Sequence, residues 1–139
     1  MRVLLDTNIL LDILLQRQPW LADAQVIEQA SLSGRLESCV TSTSVTDLFY
    51  IGRRLAGVEL ARRGVQMCID QMTILRVDAG TINRAHALDQ RDFEDAVQIV
   101  SAIEASVDAI VTRDTSGFED SPVTVLSPLQ LAAQLSDES

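Results

Sequence analysis

The segment Asp108-Ala-Ile-Val-Thr112 restricts the possible folds more than any other part of the chain. It is a short apolar run without polar alternation, the pattern of a strand covered on both faces, as in a parallel sheet. The residues before it, from Asp92, have helical spacing. Glu94, Gln98 and Ser101 recur at i, i+4 and i+7 and predict a solvent-facing line. Asp95 shares a different line with Ile99 and Ala102, so its carboxylate points toward the apolar side. Arg113 and Asp114 follow the strand at once. A helix running into a buried strand, each presenting an acid, requires further parallel strands and covering helices.

The rest of the chain supplies them. Arg2–Asp6 reads as a first buried strand, and Asn8 is the expected N-cap of a helix over Ile9–Gln16 that is apolar nearly all round. Pro19 opens a helix from Trp20 to about Leu32, stopped by Gly34. Leu36–Val40 is a second strand. The hydroxyl cluster Thr41–Ser44 caps a helix expected to turn Val45, Leu48, Phe49 and Leu55 inward. Gly57 breaks it, and another helix runs from Val58 to Gln71. Thr73–Val77 is a third strand, Ala79 to Asp89 a helix, Ser116-Gly117 a turn and Val123–Leu126 a last strand. Ser127-Pro128 caps a closing helix over Leu129–Leu135, with Ser136–Ser139 expected to fray. Strands alternating with helices, without internal repeat or linker, predict a three-layer α/β/α sandwich. Its central, mostly parallel sheet has about five strands.

A length of 139 residues, with 47% hydrophobic and 22% charged, suits one domain spanning 1–139 with a real core. No apolar run reaches membrane-spanning length: Asp12 interrupts Ile9–Leu15, and Asp6 breaks any signal-like segment. A cytoplasmic protein without membrane contact is expected. Cys39 and Cys68 lack paired spacing and read as small buried apolar residues. The single histidine, His86, lies in a helical pattern, and no serine elbow accompanies it.

In an open parallel sheet, ligands bind beyond the carboxyl ends of the strands, where strand order reverses. Asp6 and Asp114 each follow a strand. Asp95 opens the helix before one strand, and Asp47 lies in the first turn of the helix after strand two. Each has an ordinary structural alternative: Asp92 with Asp95, and Ser44 with Asp47, resemble capping boxes, and Asp6 suits an Asx turn. With short connections, the four acids are expected to converge on one pocket. Two carboxylates about 5 Å apart repel by roughly 3 kcal/mol at an effective dielectric of about 20, so such a group needs protons or a cation. With no histidine cluster and no cysteine pair, oxygen-only ligation suits Mg²⁺ or Mn²⁺.

LLDTN near the N-terminus, an acid early in the third helix, DFEDA, and a strand ending in TRD before GF resemble the PIN-domain family. The Asp92–Phe118 block is most similar to the bacterial branch containing VapBC-type toxin ribonucleases. The likeness covers the whole chain in element order and length. It implies a metal-dependent endoribonuclease in which Asp6, Asp95 and Asp114 hold the ion. Asp47 is the remaining acid and helps orient or deprotonate water. Asn8 and Thr112 match polar residues that hold the site. Asp92 is an extra acid of this branch, binding the metal's water or only capping its helix. The second acid is often Glu in the toxin members, and Asp47 is shorter. The resemblance further implies an RNA substrate, a VapB-type antitoxin and a homodimer.

A net charge of −9 opposes nucleic acid binding, although all 11 cationic residues are arginines. Arg53, Arg54, Arg62 and Arg63 bracket Gly57 and offer phosphate contacts or, equally, form a solvated helix-end cluster. Two other classes compete. One is a PIN-like protein-binding module without nuclease activity. The other is an aspartyl-phosphate phosphoacceptor, disfavoured because the receiver pattern needs a lysine and this chain has none.

Overall fold

A computed structural model describes residues 1–137. In chain order its elements are β1 (Arg2–Leu5), α1 (Thr7–Leu15), α2 (Leu21–Leu32), β2 (Glu37–Thr41), α3 (Ser42–Ala56), α4 (Val58–Gln71), β3 (Thr73–Leu75), α5 (Ala79–Ala87), α6 (Phe93–Glu104), β4 (Ala109–Val111), a 3-10 turn (Thr115–Phe118), β5 (Val125–Leu126) and α7 (Pro128–Asp137). The strands form one five-stranded sheet in the order β3-β2-β1-β4-β5. Every neighbouring pair is parallel. Strand order reverses beside β1, which pairs with both β2 and β4.

Alternation along the strands divides the core between two faces. Val3, Leu5, Ala109 and Val111 pack with Ile9, Leu10, Ile27, Leu48, Cys68 and Leu131, which places α1, α2, α3, α4 and α7 on one side. Leu4, Cys39 and Ile110 pack with Ile99, Ala102 and Phe118 beneath α6 on the other. Ala85 of α5 joins Ala96, Val97 and Val100 there. Burying one such leucine or isoleucine contributes about 1.5–3 kcal/mol, so the sheet is the rigid base on which loops are mounted. Cys39 and Cys68 are free and buried, as expected, and burial pushes both thiols up to about 11. Among the described residues no helix is long and apolar enough to cross a membrane.

Several local expectations are corrected. Asn8 is not the cap of α1. Asp6 is, its carboxylate accepting from Thr7 N at 2.7 Å, because a short acid in extended backbone reaches the first free N–H better. Thr41 alone caps α3, accepting from Ser44 N, so Ser44 and Asp47 form no capping box. Leu55, in the last turn of α3, is 58% exposed rather than inward. The edge strands β3 and β5 are shorter than expected. Helix α7 continues through Ser136 and Asp137 instead of fraying at Ser136, while Glu138 and Ser139 lie outside the described residues. The expected wet line of α6 is also wrong: Gln98 and Ser101 are 0% and 3% exposed.

Candidate active site

At the carboxyl ends of β1 and β4 the chain leaves the sheet on the two sides of the strand-order reversal. Asp6 N donates to Val111 O at 2.9 Å, so the end of β1 and the exit of β4 are fastened together. A cavity of about 360 Å³ opens there, lined by Asp6, Thr7, Asn8, Leu11, Asp47, Ile51, Asp92, Glu94, Asp95 and Asp114. Asp6, Asn8, Asp47, Asp92, Asp95 and Asp114 are therefore brought to one place from α1, α3, α6 and the loop after β4. Among the described residues, no cationic side chain lines this cavity.

Asp6 is almost buried, with 9% exposure. Thr112, fully buried at the end of β4, donates from its hydroxyl to Asp6 Oδ2 at 2.8 Å and accepts from Asp114 N at 3.1 Å. One threonine thus fixes both acids that follow strands. Asp114 Oδ1 accepts from the Ser116 hydroxyl at 2.6 Å and caps the 3-10 turn. Asp92 caps α6, accepting from Asp95 N at 3.1 Å, while Asp95 projects from the first turn. Asp47 stands in the second turn of α3, one turn later than expected, because α3 begins at Ser42. Asn8 Nδ2 stands 3.5 Å from both Asp6 Oδ2 and Thr112 Oγ1.

Burial first, and then crowding, raise proton affinity at three of these acids. Burial, then the charges of Asp92, Asp6, Glu94 and Asp114, push the Asp95 carboxyl up to about 7. Burial, then Asp47 and Asp6, push Glu94 up to about 6. Asp6 is raised by burial against the opposing hydrogen bonds from Thr112 and Thr7.

Glu94 is the residue the sequence reading assigned to solvent. It is exposed along its length, yet its carboxylate reaches the Thr7 hydroxyl at 3.3 Å. Below it, the Ser44 hydroxyl accepts from Gln98 Nε2 at 2.8 Å and lies 3.0 Å from the hydroxyls of Thr7 and Thr41. That buried knot joins α1, β2, α3 and α6 under the acids. The available signal was the polar residue following Asp6, which had to be paired with the polar line of α6.

Gly117 was also unread as a site residue. A methyl group there would overlap Asp95 Oδ2 and stand 3.0 Å from Asp95 Cγ. A recess of about 490 Å³ adjoins the cavity, sharing Asp92, Asp95 and Asp114 and adding Gln90, Arg91, Ser116 and Gly117. Arg91 is thus the arginine at the acids. Arg53, Arg54, Arg62 and Arg63 are exposed at the α3–α4 corner and line neither space. Arg53 lies 5.6 Å from the Tyr50 ring centroid, and Arg62 borders a separate groove with Phe49 and Tyr50.

Among the described residues, no group of three or more His, Cys, Asp or Glu side chains is gathered into an arrangement that could hold a metal ion as it stands. The donor set itself fits a hard divalent cation. It is all oxygen and, among the described residues, uncompensated by any lining cation. Asn8 Oδ1 is in addition a buried acceptor without a protein donor.

The sequence model of the family described as PIN domain matches residues 2–116. A search of curated proteins returns no match. Among solved structures, the chain is similar to VapBC2 from Rickettsia felis bound to a DNA fragment from its promoter, at 14% identity and TM-score 0.70, covering 91% of this chain and 98% of that one. It is similar to a toxin–antitoxin complex from Klebsiella pneumoniae at 21% identity and TM-score 0.67, covering 91% and 97%. VapC20 from Mycobacterium tuberculosis, a toxin that cleaves the sarcin–ricin loop, aligns at 11% identity and TM-score 0.67, covering 83% and 92%. At these identities the likeness is one of fold.

Proposed function

The chain belongs to the PIN-domain family, and we propose that it is a metal-dependent endoribonuclease, the toxin of a VapBC-type toxin–antitoxin pair. One observation carries the reading: six carboxylates, from Asp6, Asp47, Asp92, Glu94, Asp95 and Asp114, line one cavity at the strand-order reversal with no cation among them. Residues selected only for folding would not be crowded so, because each added charge costs free energy until something neutralises it.

Asp6, Asp95 and Asp114 are the proposed holders of Mg²⁺ or Mn²⁺. Such an ion supplies an activated water and compensates charge on the phosphodiester. Thr112 holds Asp6 and Asp114 in register, and Asn8 offers its free oxygen to the same space. Glu94, pushed up to about 6, is suited to take a proton near neutral pH, with Asp47 beside it to orient the attacking water. Arg91 grips a phosphate next to the scissile one. Arg53, Arg54, Arg62 and Arg63 contact the strand farther out, Arg54 standing on the Asp47–Ile51 face of α3 at i+7. A single domain, a homodimer, a VapB-type antitoxin and a cytoplasmic location belong to the same proposal.

Purified protein incubated with mixed RNAs should cleave them with Mn²⁺ or Mg²⁺ and not with EDTA, and Asp6→Asn should remove the activity. No metal-dependent cleavage by the wild type, or equal cleavage by Asp6→Asn, overturns the reading. A small DNA-binding protein encoded beside this one, binding it tightly, would support the toxin role.

A further inference from the structure

Asp12 lies in the middle of the apolar run of α1 and is 0% exposed. It does not line the acid cavity, although its neighbour Leu11 does. Both its oxygens are occupied by arginines. Arg113 donates from Nε to Oδ2 at 2.7 Å and from Nη2 to Oδ1 at 3.3 Å. Arg17 donates from Nε to Oδ1 at 2.9 Å. The Arg113 guanidinium also lies 3.7 Å from the centroid of the Trp20 ring.

Each arginine is tied to one lip of the cavity. Arg113 sits between Thr112 and Asp114, the two residues that anchor and present the carboxylates at the end of β4. Arg17 Nη2 stands 3.5 Å from the carbonyl of Asn8, in the first turn of α1. A buried ion pair is a poor way to gain stability, since apolar packing of the same volume serves as well. A two-pronged Arg–carboxylate contact is, however, a good way to fix a direction. Resting on the nuclease reading, we propose that Asp12 is a positioning residue for the metal site. Through Arg113, clamped against Trp20, it holds the Asp114 loop in place beside Asp6.

The test uses the full chain with Asp12→Asn, and Arg113→Lys, which keeps the charge and loses the two-pronged contact. Metal affinity is read by calorimetry with Mg²⁺ or Mn²⁺ alone, without RNA. The clamp is read from the emission of Trp20, the chain's single tryptophan. Both variants should bind the ion about 10–100-fold more weakly, as for loss of an outer hydrogen-bond partner of a metal ligand. They should lower kcat at unchanged KM for RNA, and they should shift Trp20 emission as the guanidinium leaves the ring. Arg17→Ala should do less, because its contact with Asn8 is long. If Asp12→Asn does not fold, Arg113→Lys decides. Folded variants with metal affinity within about twofold of wild type, well below the expected loss, overturn the positioning role. A wild type that binds no divalent ion instead overturns the nuclease reading itself.

Discussion

Replacing Gly117 with alanine tests the site without touching a carboxylate. The added methyl would stand 3.0 Å from Asp95 Cγ and overlap Oδ2. Carbon atoms pack best at about 3.5–4.0 Å, so Cγ has to withdraw by about 0.5–1 Å and the overlapped Oδ2 by more than about 1 Å. Gly117 is not in the left-handed region, and the group it displaces is the end of a half-buried side chain. Stability should therefore change by less than about 1 kcal/mol, with some gain from a less flexible unfolded chain. Function should not be spared. A misplacement of about 1 Å in a reacting constellation costs about 10²-fold, equivalent to about 2.7 kcal/mol in the barrier. The assay compares wild type, Gly117→Ala, Asp95→Ala and the double variant by cleavage of a fluorogenic RNA with Mn²⁺, by Mn²⁺ calorimetry and by denaturant unfolding. If Gly117 acts through Asp95, the double variant will be no worse than Asp95→Ala. A folded Gly117→Ala with wild-type metal affinity and activity, or losses that multiply in the double variant, would refute the reasoning.

Metal-free protein should be more stable at pH 5 than at pH 8. Asp95 and Glu94 are raised from 3.8 and 4.5 to about 7 and about 6, so the folded state holds extra protons at pH 5 and loses that advantage as both ionise. Saturating Mg²⁺ should remove the difference, and unfolding midpoints with and without the ion that move in parallel across this range would contradict it. Arg91→Ala should raise KM for RNA about tenfold with kcat little changed and reduce the salt slope of binding by about 1, as for one lost phosphate contact; an unaltered slope would place Arg91 away from the RNA. Ser44→Ala should destabilise the protein by about 1–3 kcal/mol, because Gln98 Nε2 and the Thr7 and Thr41 hydroxyls lose a buried partner, and denaturant unfolding measures it.

The order of elements, the parallel sheet and the placement of Asp6, Asp47, Asp95 and Asp114 at one edge were legible in the chain. Apolar runs and caps are local signals, and a residue that ends a parallel strand has only one side of the sheet on which to stand. Local signals also mislead where two segments meet. Helical periodicity placed Glu94, Gln98 and Ser101 on one line correctly. It could not tell that Ser44 and Thr7 would be packed against that line, so a polar stripe read as wet is in part the buried support of the site. For Asp12, the sequence showed an acid breaking an apolar run, and only the fold supplied Arg113 from 101 positions away. The close approach of Gly117 to Asp95 is likewise invisible until the 3-10 turn lies against α6. Which residues carry charge, and which elements present them, is set by covalent order and period. Which charges meet, and which polar groups are dry, is decided by packing between segments distant in the chain, where no local pattern reaches.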